Sequence, residues 1–205
     1  MSSPPARRVG AVIAALVGTA LFVPAPTGAA AGAPPSSHTC ETSATAFRPK
    51  VARFSSVRRK FDVVRVARTP SGAIGTPPLT ARGKRLVGWD PHTKPANGRG
   101  SVILDAHTWP GGGALGNTLL RKLRRGDVIT LDSAGRKKAC YRVTERRSYP
   151  VKRFPQRKAF RSWGKEQVVI VVCSGKRLGP GRWTHRTVWY AVPITGDDVS
   201  ATPRG

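Results

Sequence analysis

Val168-Val169-Ile170-Val171-Val172-Cys173 is the stretch on which the fold turns, and Ser174-Gly175 follow it at once. Five consecutive β-branched residues are stiff at χ1 and suit a pleated, buried surface, so the run reads as a buried strand. The small-residue pair predicts a turn that ends it. A thiol at the mouth of such a strand is rigidly held and still within reach of solvent. Ser101-Val102-Ile103-Leu104-Asp105-Ala106 predicts a second strand, ending at His107. Thr187-Val188-Trp189-Tyr190-Ala191-Val192-Pro193 predicts a third, opened by Arg186. A thiol, an imidazole and a guanidinium at three strand ends point to thiol acyl transfer.

The rest of the chain reads as short strands. Phe61 to Val66 is β-like and runs into the turn Thr69-Pro70-Ser71-Gly72. Ile74-Gly75-Thr76-Pro77-Pro78 is extended but irregular, because proline cannot donate to a ladder. Lys94 to Gly100 is a loop with an Asn-Gly turn signal, and Trp109 to Gly113 is another, rich in glycine. Leu115, Leu119, Leu120 and Leu123 share one helical face, and Gly126 stops that helix. Asp127 to Leu131 and the alternating strand around Cys140 form a hairpin about Asp132-Ser133-Ala134-Gly135. Residues 148–166 predict a long connection with a short helix from about Lys158 to Trp163. Strands at this spacing with one helix imply an all-β barrel or sandwich.

The 205 residues carry a formal charge of +26. The cations are scattered, and three readings stay open: nucleic-acid binding, attraction to an anionic envelope, or a plain solvated basic surface. The N-terminus argues against the first. Arg7-Arg8, an apolar Val9–Val23 and the small-residue segment Ala29–Ala33 read as an export leader. Cleavage after an A-x-A site and retention as an anchor are both compatible with it. An exported chain with three cysteines permits a Cys40–Cys140 bridge that leaves Cys173 free, or three unpaired thiols. There is no paired Cys/His spacing for a metal and no clustered carboxylates for calcium, so no cofactor is expected. His38 and His92 lie in polar loops. His185 competes with His107, but in a strand it faces away from Arg186.

Five stretches together resemble a class F sortase of actinobacteria: Val87-Gly88-Trp89, Gly100 to His107, Leu123 to Ile129, Val169 to Gly175 and Arg186 to Pro193. The resemblance covers roughly Phe61 to Ile194. It implies a closed eight-stranded all-β barrel with one or two short helices, divided as leader or anchor 1–33, linker and extension 34–60, catalytic barrel 61–195 and tail 196–205. It also implies an extracytoplasmic cysteine transpeptidase that cleaves a Leu-Pro-x-Thr-Gly-like sorting signal and passes the acyl group to an amine. Cys173 would be the nucleophile, His107 the proton carrier and Arg186 the oxyanion partner, with Arg182 as the alternative arginine. Val172, Ser174 and Trp109 would contact substrate. The implied partners are surface proteins with a C-terminal sorting signal and a peptidoglycan amine, with anionic envelope polymers as a further candidate. Nucleic acid is not among them, and a monomer is expected. The chain departs from the family where it often has Thr near the cysteine, since Ile170 and Val172 stand there. A thiol hydrolase using water, and a non-catalytic basic module, are the alternative functions.

Overall fold

The structure, a computed structural model, describes Cys40 and residues 42–194. Eight strands close into one barrel. They are β1 (Val51–Phe54), β2 (Val57–Arg65), β3 (Val87–Trp89), β4 (Ser101–Ala106), β5 (Val128–Asp132), β6 (Lys138–Pro150), β7 (Gln167–Gly179) and β8 (Arg182–Pro193). The order around the wall is β1-β2-β3-β4-β7-β8-β6-β5, and β5 pairs back onto β1. Closure leaves no free sheet edge along the barrel. Among the described residues there are two α-helices, α1 (Leu115–Lys122) and the short α2 (Gln156–Ala159).

Alternation along each strand sends one face inward. Val102, Leu104 and Ala106 of β4, Val168, Ile170 and Val172 of β7, and Trp189 and Ala191 of β8 fill the interior with Phe54, Leu131 and Tyr141. Leu115, Leu119 and Leu123 of α1 join the same core. The Trp189 indole donates to the Leu123 carbonyl at 3.1 Å, so the residue that ends α1 is held from inside the barrel.

Outside the barrel, two connections lie over neighbouring strands. Pro77 and Val66, in the β2–β3 region, come close over Gly88 of β3. Phe154, Ala159 and Phe160, between β6 and β7, pack with Val169, Val188 and Tyr190. The Gln156 amide donates to the Gly72 carbonyl at 3.2 Å and joins the two covers. Buried Glu166, at the foot of β7, receives the Tyr141 hydroxyl at 2.5 Å and the backbone N–H groups of Ala96 and Gly98 at 3.0 and 2.5 Å. A carboxylate with these donors pins the β3–β4 loop to the wall.

Three expectations need correction. The barrel begins at Val51, not Phe61, because β1 supplies the strand that β5 needs to close the ring. The cysteine strand does not stop at Ser174-Gly175 but runs to Gly179, paired with β8 through bulges. Gly175 allows one of them, since its φ is +76° and a Cβ there would meet Thr184 Oγ1 at 2.4 Å. The short helix lies at Gln156–Ala159, ahead of its expected position. The leader read over 1–33 and the tail over 196–205 lie outside the described residues. Among the described residues no helix is long and apolar enough to cross a membrane.

Cys40 and Cys140 are bridged, and Cys173 is free. The bridge closes a loop of sequence separation 100, which restricts the unfolded chain by about 2–4 kcal/mol. Reduction is therefore expected to lower the unfolding free energy by that amount, read as a fall in the denaturant midpoint at the measured slope. The protein unfolded without reductant should take up one alkylating group, and three after reduction, as read by intact mass.

Candidate active site

β4 and β7 run parallel, in the register Ser101↔Gln167 through Ala106↔Val172. One step further along both strands stand His107 and Cys173. On the other side of β7, Cys173 is directly opposite Arg186 of β8. Adjacent strands lie about 4.8 Å apart, so three neighbouring strands put an imidazole, a thiol and a guanidinium side by side. Ala106 and Val172 point into the core, so by alternation Cys173 points outward. Asp105, opposite Val171 and Gly88, shares that outer face.

Local bonds hold the row in place. The Thr108 hydroxyl donates to the Cys173 carbonyl at 2.6 Å and extends the β4–β7 contact beyond the last ladder pair. The Gly116 N–H at the start of α1 donates to the His107 carbonyl at 2.8 Å. His107 is buried, and its Nε2 lies 2.6 Å from the Pro77 carbonyl. A carbonyl only accepts, so Nε2 carries the hydrogen in this contact and Nδ1 is the other ring nitrogen, outside it. One Arg186 nitrogen donates to the His185 carbonyl at 3.0 Å, which steadies a half-buried side chain.

The electrostatics oppose one another. Burial pushes the Cys173 thiol above its ordinary value, Arg186 pulls it back, and Asp105 pushes it up again. Asp105 itself is pushed up to about 8 by burial. Its Oδ1 is buried with no hydrogen-bond partner. Neither Asp105 nor Thr108 stood out in the sequence as a site residue, since both look like strand or loop filler until the cover of residues 66–86 is in view.

The other expected contacts divide. Val172 is 1% exposed and belongs to the core, so its side chain has no route to a ligand. Ser174 is buried and accepts the Thr187 hydroxyl at 2.9 Å. Trp109 is half-buried just beyond His107, with its backbone bracketed by the Asn117 side chain at 2.9 and 3.1 Å. The Lys84 ammonium sits 3.9 Å from the centre of its ring. Arg182 lies at the exposed far end of the β7–β8 ribbon, opposite Gly179, away from the thiol. His185 faces Ser174 in the register and bonds Thr184. His92 hydrogen-bonds Asp90, which Arg68 also holds at 2.7 Å. Burial raises the Asp90 carboxyl, but these bonds outweigh it and leave it below its ordinary value.

Residues 62–194 match the family model of the Sortase domain. A comparison with curated proteins finds no match. Among solved structures, sortase C of Streptococcus pneumoniae is similar with a TM-score of 0.51 and 14% identity, covering 71% of this chain and 65% of that one. Sortase C1 of Streptococcus suis has a TM-score of 0.50 at 17% identity, covering 72% and 73%. The lid-mutant of Streptococcus agalactiae sortase C1 has a TM-score of 0.50 at 15%, covering 71% and 67%. At these identities the likeness is one of fold.

A Cβ at Gly116 would sit 2.5 Å from the His107 carbonyl oxygen and 2.9 Å from that of Ala106. Gly116→Ala is expected to cost about 1–3 kcal/mol in denaturant unfolding and to move the His107 ring resonances in NMR. The pH dependence of stability has a definite sign. A carboxyl whose folded value is raised keeps a proton that the unfolded chain releases, so stability falls as pH rises from about 4 to about 8. Asp105→Asn should remove that part of the fall, raising the melting temperature at neutral pH and leaving it little changed at acid pH.

Proposed function

The chain belongs to the sortase family, whose members are cysteine transpeptidases, and on that premise we propose how this site works. The observation that carries the reading is the row of His107, Cys173 and Arg186 across three adjacent strands, with the thiol partly exposed. The Cys173 thiolate attacks the carbonyl carbon of the scissile amide. The oxyanion that forms takes hydrogen bonds from Arg186, whose charge and several donors persist at any working pH. The C–N bond breaks, the leaving amine takes a proton from the His107 imidazolium, and the acyl group stays on sulfur as a thioester. An incoming amine then attacks the thioester carbon and gives its proton to His107, and the thiolate departs. The raised thiol value means that a minor thiolate fraction carries the reaction at neutral pH.

The substrate class is an extended, Leu-Pro-x-Thr-Gly-like sorting signal of a surface protein, and the acceptor is an envelope amine outside the cytoplasm. The order of the motifs from Val87-Gly88-Trp89 to Arg186–Pro193 supports the class F subtype. Attraction to anionic envelope polymer would accompany this activity. A hollow of about 540 Å³ away from the thiol, lined in part by Arg53, Arg58, Arg59 and Lys60, supports that companion role.

Intact-protein mass spectrometry with a panel of sorting-signal peptides tests the reading. A thioester adduct should form on the wild type and vanish in Cys173→Ala, and an added amine should yield the ligated peptide. Arg186→Lys keeps the charge but loses the fork, and should lower kcat/KM by about 10²–10³. No adduct across the panel, or an adduct that survives in Cys173→Ala, would overturn the assignment.

A further inference from the structure

Asp105 is a buried acid that the proposed reaction does not use. Its position in β4 puts it on the outer face, two residues before His107 and opposite Val171, the residue two before Cys173. Opposite it on β3 stands Gly88, and the carboxyl fills the space that a side chain there would take. A Cβ on Gly88 would lie 2.2 Å from Asp105 Oδ1, with Pro77 Cδ and Val66 Cγ1 at 3.1 Å. The neighbours at that point are a proline, a valine and a glycine, none of which offers a side-chain donor. Asp105 is the one carboxylate among the described residues with a buried oxygen that lacks a hydrogen-bond partner.

The charged groups around it are few. His107 follows it on the same face towards the open end of β4, Cys173 is the nearest titratable group on β7, and Arg186 stands beyond Cys173 on β8. On the cover, Arg68 is committed to Asp90 and Lys84 to the Trp109 ring, while Arg82 and Arg85 are exposed. β3 presents only Gly88 on this face. The same Pro77 that closes the pocket over Asp105 accepts the His107 Nε2 hydrogen. Acid and imidazole are therefore held by one segment.

We propose that Asp105 is a positioning residue that tunes the nucleophile electrostatically: the charge on its carboxyl, set behind the Cys173–His107 pair with no cation of its own, modulates how much thiolate Cys173 forms beneath the larger effects of burial and Arg186. The inference rests on Cys173 as the nucleophile. With the carboxyl protonated, nothing negative faces the sulfur from behind and Arg186 acts on it unopposed. With the carboxyl ionised, the negative charge disfavours the thiolate, so the thiol ionises at higher pH. Burial alone raises Asp105 to about 8, which places the change within the range where the thiol begins to ionise. A buried acid in this place limits the alkaline gain in nucleophile that an isolated cysteine would show.

The experiment is the pH profile of Cys173 alkylation by iodoacetamide in the full chain, wild type against Asp105→Asn, with the Cys40–Cys140 bridge intact so that Cys173 alone reacts. It needs no substrate, so a failure of transpeptidation leaves it readable. Near pH 8.5, about the ordinary thiol value, the Asn variant should react at least about threefold faster, equivalent to about half a pH unit in the midpoint. Superimposable profiles would overturn the proposal. If the variant does not fold, carbon NMR of the aspartate carboxyls in the wild type decides. One carboxyl titrating above about pH 7 supports the proposal, and all of them titrating below about pH 5 overturns it.

Discussion

The parallel pairing of β4 with β7 is the constraint on which this molecule depends. A strand has a side-chain period of two, so a slip of one residue would turn Cys173 into the core and Val172 out to solvent. The register is protected from within. Ala106 and Val172 are packed on the barrel side, and the Glu166 clamp at the foot of β7 and the Thr108 bond beside Cys173 hold the two ends. Where β4 ends at Ala106, β7 continues with β8 as its one partner, and β6 still flanks β8 as far as His185. The thiol stands at this narrowing, where the sheet still fixes its position and one flank is no longer covered by a strand.

The face that carries the thiol is the outer wall of the barrel, and it has been made into an interior of its own. The Pro77 segment lies on one side and the Phe154–Phe160 segment on the other, linked by Gln156 and Gly72. Low polarity beneath these covers raises both the thiol and Asp105. The cationic fork of Arg186 offsets part of this for the sulfur and leaves the carboxyl without relief. The site thus gives up stability to hold a charge-sensitive pair in surroundings of low polarity, a trade that buried functional groups commonly make.

Much of this was legible in the amino acids. The β-branched run, the apolar stretch before His107 and the hairpin about Ser133 announced β7, β4 and β5–β6, because their signals are local. The spacing of Leu115, Leu119 and Leu123 announced α1 for the same reason. β1 escaped notice because Val51-Ala52-Arg53-Phe54 is too short to stand out, although Ala52 and Phe54 do alternate inward. The burial of Val172 follows from strand parity once Cys173 is taken to face out, so its reading as a contact residue neglected an available rule. Asp105 was hidden for a different reason. Its neighbours Gly88 and Pro77 are distant in sequence, and only the assembled wall shows that its Oδ1 is buried there without a donor. The choice of Arg186 over Arg182 likewise needed the register, since loop length alone left both within reach.

The bridge between Cys40 and Cys140 has a mechanical corollary. Tension applied to the chain ahead of Cys40 enters the barrel at β6, a long strand flanked by β5 and β8, and passes by the four-residue β1. The intervening stretch up to Val51, anchored by buried Phe47, then lies off the line of load. A pull from that side would have to shear two ladders at once, where an unbridged chain would peel its first strand away one hydrogen bond at a time.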